Sequence, residues 1–380
     1  MWLYIAITIV TIALSWGIKK TDEEGFALGN AKSYNFTYIG ITRQSVLNKA
    51  LMLVIFLILF MVSALRVGVG NDYGKYVNFM HLAYANAYVP TEVGFNTLTR
   101  IVYYLCGFEN YILVFAIFSF FTCLFFLYSI YDLSIAFRWT FAMFMLLSYY
   151  FQSLSTVRYY LALSMAMLAT NFIKKQDFIK FVAVVLIGAL FHKSLLVILI
   201  LYPACLIKWR RWMGIASGCF ALSLLFLKDL YLKLFLVLYP SYEGTSYLSG
   251  GTSIMSIARC ILVLGASYYY RDKLFKDKMN VFYIKCNALA LFLYVFCYFM
   301  PVISRIGYYL TITQILLVPA ILMCISIDKK NIIKLAFLGG LLAYFLAFLI
   351  KVAPADGTLI LPYKTFLFND MVLVEYQVTD

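Results

Sequence analysis

Residues 178–207 read FIKFVAVVLIGAL, then FHKS, then LLVILILYPACLI. As one helix this run would be about 45 Å long, well beyond the ~30 Å hydrocarbon core of a bilayer. Lys174, Lys175 and Lys180 lie at its start, and Lys208, Arg210 and Arg211 follow it. A single crossing would put one basic cluster on the side where positive charge is scarce. Two short crossings keep both clusters on one side, and the turn then falls at Phe191-His192-Lys193-Ser194. This reading places His192 at the outer end of a helical hairpin.

The same short apolar pattern recurs along the chain. Segments are expected at 1–18, 49–65, 110–131, 139–152, 158–173, 178–191, 195–207, 212–227, 254–270, 281–300, 306–325 and 331–350. That makes roughly twelve transmembrane helices. Several fall short of the ~20 residues a perpendicular span needs, which is tolerated where helix ends line a protein cavity. Of the 380 residues, 64% are apolar, 19% aromatic and only 13% charged. A soluble domain of this size does not have that balance; an all-α polytopic membrane protein does, because lipid demands internally bonded backbone. Residues 1–350 read as one transmembrane domain, with 351–380 an extracytoplasmic tail that the pattern leaves unassigned. Met1 to Ile18 lacks a basic leader and a cleavage site, and reads as a retained helix.

The formal charge of +14 excludes little by itself. In such a chain it is the signature of cytoplasmic loops and of attraction to anionic lipid, and no nucleic-acid partner is implied. Most of the 31 lysines and arginines fall in inner loops when the N-terminus lies outside, so that orientation is preferred. The eight cysteines lie mostly in apolar runs without metal-ligand spacing, and they read as small core hydrophobes.

Against that bias, Arg66, Arg100, Arg158, Arg259, Arg305, Lys193 and His192 all fall at outer segment ends. Arg158 follows the polar break Ser153-Leu-Ser155-Thr, and Arg305 follows Pro301-Val-Ile-Ser304. A guanidinium donates two parallel hydrogen bonds to a phosphate and keeps its charge, so these arginines are candidate pyrophosphate ligands, with Ser155 and Ser304 as added donors. Snorkelling to headgroups is the plainer alternative for each, and it weighs most for Arg66 and Arg100. Arg259 lies deepest, where a charge is expensive, which favours function there.

His192 is one of two histidines. A neutral imidazole at this position can accept a proton from a sugar hydroxyl. Asp72 and Glu92 are the notable outer acids and the other candidate bases, unless they merely pair with Arg66 or Arg100. His81 sits in an amphipathic stretch and reads as structural. The outer loop 66–109 is expected to carry interfacial helices at 74–88 and 92–106, and the loop 228–253 to end in a mobile lid. Tyr73 and other outer tyrosines, including Tyr76, Tyr159, Tyr242 and Tyr247, can stack sugars or form an interfacial belt.

The ordered set Arg66…Gly70-Asn71-Asp72-Tyr73-x-x-Tyr76, Glu92-x-Gly94-Phe95, Ser155-x-x-Arg158, Phe191-His192-x-Ser194 and Ser304-Arg305 resembles the EpsG family of Wzy-type polysaccharide polymerases. The resemblance runs from about residue 1 to 350, with Asn71 standing where the family is associated with Thr. It implies a GT-C-like arrangement of helices around an outward-facing cavity in the bacterial cytoplasmic membrane. The implied substrates are oligosaccharide repeat units on undecaprenyl pyrophosphate, joined by metal-independent, inverting glycosyl transfer without a cofactor. Membrane lipid, a chain-length-regulating co-polymerase and a flippase are the implied partners.

Three rivals share parts of this pattern. A flippase would hold the same lipid pyrophosphate but needs alternating gates and usually internal repeats, and none is visible. An O-antigen-type ligase uses the same donor with another acceptor. A membrane acyltransferase also carries a lone histidine in an apolar run, but draws its donor from the cytoplasm. A channel is least favoured, because no ring-forming filter is evident.

Overall fold

The computed structural model describes residues 1–20, 43–238, 251–300, 303–325 and 327–369. Among them every regular element is helical, and the one β pairing is an antiparallel bridge between Arg66 and Thr365. The helices are α1 (Trp2–Trp16), α2 (Arg43–Ala64), α3 (Tyr73–Tyr84), α4 (Val93–Cys106), α5 (Tyr111–Leu133), α6 (Phe137–Leu146), α7 (Tyr149–Gln152), α8 (Val157–Lys174) and α9 (Phe178–Ala189). A 3₁₀ turn at Lys193–Val197 leads into α10 (Ile198–Leu206), α11 (Arg211–Phe226), α12 (Lys228–Leu238), α13 (Ile254–Tyr269), α14 (Arg271–Leu274), α15 (Lys278–Phe296), α16 (Ile303–Thr311), α17 (Gln314–Cys324) and α18 (Ile327–Ala347). The chain divides into two compact units, Met1–Leu195 with Ile325–Asp380, and Leu196–Cys324.

The apolar segments read from the sequence are mainly helical, though 139–152 is broken between α6 and α7; α3 and α4 form where helices were expected at 74–88 and 92–106, with 85–88 falling outside α3. By length and composition, the described residues offer four to five spans against the expected twelve. Among the described residues only α2, α5, α15 and the stretch Asn331–Val352 are long and apolar enough to cross a bilayer, with α16 and α17, bent by 40° at their break, as a fifth. Trp2–Trp16, Phe178–Ala189, Lys193–Leu206, Arg211–Phe226 and Ile254–Tyr269 are apolar but only 10–17 residues long. The reason is that apolarity marks removal from water, and neighbouring protein removes water as well as lipid does. Helix α8 illustrates this: it is buried nearly all round, packed between α5 and α9. By contrast α2 leaves Leu47, Leu53, Leu57 and Met61 exposed, as a lipid-facing helix does. The protein is an all-helical membrane protein.

In the first unit, α5 packs against both α2 and α8. Small residues Ala162, Ser164, Ala166 and Ala169 are buried in α8 and let its backbone approach closely. Hydroxyls and amides bond across helices where lipid offers no water: Ser63 Oγ donates to Ser119 Oγ at 2.8 Å, and Asn171 Nδ2 to Ser129 Oγ at 3.4 Å. Lys20 Nζ donates to the carbonyls of Tyr131 at 2.6 Å and Ser134 at 2.7 Å, and Lys174 Nζ to that of Asp132 at 2.7 Å. These cations satisfy the open C-terminal end of α5 and oppose its dipole.

The tail that the sequence left unassigned is a strap. After a π-helical turn at Phe348–Val352, residues 353–369 return across the segment that follows α2. Val67 N donates to Lys364 O at 3.0 Å, Gly70 N to Leu359 O at 2.8 Å and Asn71 N to Thr358 O at 3.0 Å. Tyr4 Oη donates to Ile360 O at 2.8 Å, and Tyr363 Oη to Val62 O at 2.9 Å. Residues 370–380, the end of the expected tail, lie outside the described residues.

In the second unit, α10, α13, α16 and α17 pack around α15. Asn287 Nδ2 donates to Cys260 O at 2.9 Å, and Gln314 Nε2 donates to Asn287 Oδ1, so three helices share one buried amide network. The start of the expected lid at 228–253 is α12; its Gly/Ser/Tyr portion at 239–250, with Tyr242 and Tyr247, lies outside the described residues.

Candidate active site

Three separated stretches of the first unit bring Glu92, Arg158 and His192 together. Glu92 precedes the first turn of α4, yet its side chain caps no backbone amide of that helix. It accepts instead from Arg158 Nη1 and, at 3.1 Å, from the backbone N–H of Lys193. His192 Nδ1 stands 3.5 Å from Glu92 Oε1, at the outer limit of a hydrogen bond. His192 Nε2 and Arg158 Nε are buried without a hydrogen-bond partner. All three side chains are largely enclosed, with 13% exposure for Glu92, 15% for Arg158 and 18% for His192.

Local sequence explains why these segments meet. Arg158 occupies the first turn of α8, just after the polar break the sequence shows at 153–156. His192 follows α9, where the chain turns and His192 N bonds back to Gly188 O at 3.0 Å. Gly94 N donates to Leu190 O at 2.8 Å, which holds the start of α4 against that turn. A Cβ on Gly94 would lie 2.6 Å from Leu190 O, so only glycine permits this approach. Gly70, at φ +110°, likewise abuts Leu154 and Ser155, and Asn71 N donates to Ser155 Oγ at 3.3 Å.

Aromatic rings frame the charged groups. The Arg158 guanidinium carbon lies 5.4 Å from the ring centroids of both Tyr76 and Phe95. Tyr159 meets the His192 ring edge-on at 5.6 Å. Such faces hold a guanidinium in place and present flat surfaces suited to sugar rings. Burial alone would raise the Glu92 carboxyl, but His192, Arg158 and the Lys193 amide more than offset it and hold the group below its ordinary value. Glu92 is thus a held carboxylate and a weak base while these partners surround it.

The other residues singled out by sequence fall elsewhere. Asp72 lies just before α3, 3.9 Å from Lys75 Nζ and one residue from the Asn71–Ser155 contact. Arg66 is 1% exposed, bonded to Ser63 and lying over Phe115 at 5.2 Å. Tyr73 stacks on the same Phe115 ring at 4.5 Å. Arg100 Nε donates to Ala83 O at 2.7 Å, tying α4 to α3, and His81 Nδ1 pairs with Glu109 at 2.8 Å. Arg259 in α13 and Ser304 and Arg305 in α16 belong to the second unit. Arg66 and Arg100 thus bond outside the Glu92 cluster. The sequence reading assigned no role to Phe95 or the Lys193 amide, although Phe95 stood in the quoted pattern; no residue type could have revealed a backbone donor.

Comparison with known proteins adds one finding. The family model described as the EpsG family matches residues 49–365. The match starts after α1 and runs past residue 350 into the strap, so its limits differ at both ends from those of the sequence resemblance. No curated protein and no solved structure matches the chain.

Proposed function

Since the chain belongs to the EpsG family, and so to the polymerase-type glycosyltransferases of polysaccharide synthesis, we propose that it polymerises oligosaccharide repeat units carried on undecaprenyl pyrophosphate. The reaction takes place at the outer face of the bacterial cytoplasmic membrane. The observation that carries this reading is the juxtaposition of Glu92, Arg158 and His192 beneath aromatic faces.

In this reading the doubly charged pyrophosphate of the donor competes with the Glu92 carboxylate for Arg158. The guanidinium then faces the leaving group and neutralises the charge that grows on it as the glycosidic C–O bond breaks. The released carboxylate turns to His192 Nδ1, already 3.5 Å away, and fixes the ring so that Nε2 is presented. A sugar hydroxyl of the acceptor attacks the anomeric carbon from the opposite face, which inverts it, and gives its proton to Nε2. Asp72, at the Asn71–Ser155 contact, orients acceptor hydroxyls.

The test is the lipid-linked glycan profile of cells lacking the protein, complemented with wild type, Arg158→Ala or His192→Ala. The expected result is single repeat units on the carrier, with a polymer ladder restored by wild type alone. Units trapped on the inner leaflet would identify a flippase instead, and full-length polymer left on the carrier a ligase. The same assay on Arg259→Ala and Arg305→Ala reports whether the cations of the second unit are needed.

A further inference from the structure

Phe118, near the start of α5, is 1% exposed and takes no part in the chemistry above. Its ring nevertheless packs against both sides of the site. On one side it meets Phe95 at 5.8 Å between centroids, tilted by 50°. On the other it meets Phe191, the residue before His192, edge-on at 5.8 Å. The Arg158 guanidinium carbon lies 5.4 Å from the Phe95 centroid, and Tyr76, 5.9 Å from Phe95, holds the same carbon at 5.4 Å. A row of packed side chains thus runs from Arg158 through Phe95, Phe118 and Phe191 to His192.

A carboxylate also links the two ends of this row: Glu92 bonds to Arg158 and stands 3.5 Å from His192. In the proposed reaction that link opens, because the pyrophosphate takes Arg158 from Glu92. Another contact must then keep the guanidinium and the imidazole at a set separation. The aromatic row does not depend on the carboxylate. Tilted and edge-on rings with centroids about 4.5–7 Å apart attract each other with a preferred geometry. Close-packed interiors also transmit a displacement instead of absorbing it. Phe95 stands in the first turn of α4 and Phe191 in a turn, but Phe118 sits on α5, which packs against both α2 and α8. It is the member of the row fixed to the body of the unit.

We propose that Phe118 is a positioning residue, an inference that rests on the reaction proposed above. Through Phe95 and Phe191 it sets the distance between the guanidinium that faces the leaving group and the imidazole that takes the proton. It keeps that distance when Glu92 releases Arg158.

Full-length protein purified in detergent is assayed with lipid-linked single repeat units extracted from cells that lack it, and kcat and KM are measured at equal folded amounts. Phe118→Leu stays apolar but cannot reach both neighbouring rings. Phe126→Leu is the control: Phe126 lies two turns further along α5, is also 1% exposed and packs on Phe144 at 5.0 Å. Both variants should lower the unfolding temperature to a similar extent, since each leaves part of a buried ring's space unfilled. Only Phe118→Leu should lower kcat, by about ten-fold or more with KM little changed, because a misplacement of about 1 Å can cost up to about 10²-fold. Arg158→Lys alone is expected to cost about 10²-fold. The double variant should fall short of the product of the two losses, because both act on the same guanidinium. A kcat for Phe118→Leu equal to that of Phe126→Leu, or losses that simply multiply, would overturn the proposal and leave the reaction standing. Wild-type turnover in Arg158→Lys would remove the reaction and this inference with it. If Phe118→Leu fails to fold, Phe191→Leu reads the same row from the His192 side, and an unchanged kcat there overturns the proposal.

Discussion

Glu92 and Arg158, 66 residues apart in sequence, form an enclosed ion pair, and the same carboxylate reaches the His192 turn through the Lys193 amide. One side chain therefore ties the starts of α4 and α8 to the turn after α9.

Arg158→Lys should lower polymer yield by about 10²-fold or more, the typical effect of losing one donor aimed at developing charge. Lysine keeps the charge but presents no fork. The lipid-linked glycan ladder, read at equal membrane abundance of the protein, checks this. Near-normal polymer would remove Arg158 from the proposed role.

The ion pair should also appear as a stability coupling. Arg158→Met and Glu92→Leu each leave an enclosed charge without its partner, whereas the double variant leaves none. A double-mutant cycle on thermal unfolding in detergent should give a coupling of about 1–3 kcal/mol. Additive losses would show that the pair holds nothing together.

Acid should loosen the same junction. Glu92 is held below the ordinary carboxyl value of 4.5. A depressed carboxyl contributes stability that is complete above its unfolded value and is lost as pH falls through the folded value. Between about pH 5 and pH 3 the wild type should therefore lose stability more steeply than Glu92→Gln. Thermal scans across that interval measure the difference, and parallel curves would contradict it.

Gly94→Ala should uncouple the site from the His192 turn, since the new methyl must push the start of α4 away from Leu190. Gly70→Ala adds backbone strain at φ +110° to a clash with Leu154 O, for a loss of about 2 kcal/mol or more. Both variants should make less polymer, with Gly70→Ala the less thermally stable. Wild-type polymer from Gly94→Ala would show that the close approach is dispensable.

In the proposed reaction arginine does the charge neutralisation that a metal often supplies. Purified enzyme should accordingly keep its activity through EDTA treatment and buffer exchange. A clear loss, restored by adding a divalent cation, would require a different account of the leaving group.

The strap shows what periodicity cannot reach. Residues 353–369 have no long apolar run, and their order comes from backbone bonds to Val67, Gly70 and Asn71, hundreds of residues earlier in the chain. The twelve expected spans and the four to five that length and composition support among the described residues differ for a related reason. Helix α8 and lipid-facing α2 are both apolar, and only packing shows that protein surrounds one and lipid the other. The break at His192, by contrast, was legible, because basic clusters at both ends of 178–207 leave one arrangement that keeps them together.

The sequence by itself determined the all-helical membrane class, the positions of the apolar segments and the placing of Glu92, Arg158 and His192 at segment ends. Those are local properties of hydrophobicity and charge. Tertiary structure decided which cations meet a carboxylate: Arg158 pairs with Glu92, Arg100 serves the Ala83 carbonyl, and Arg66 is enclosed against Phe115 and Ser63. Residue type gives each arginine the same charge and the same fork. What it binds depends on which distant segment packing brings within about 3 Å, and that is a property of the folded chain alone.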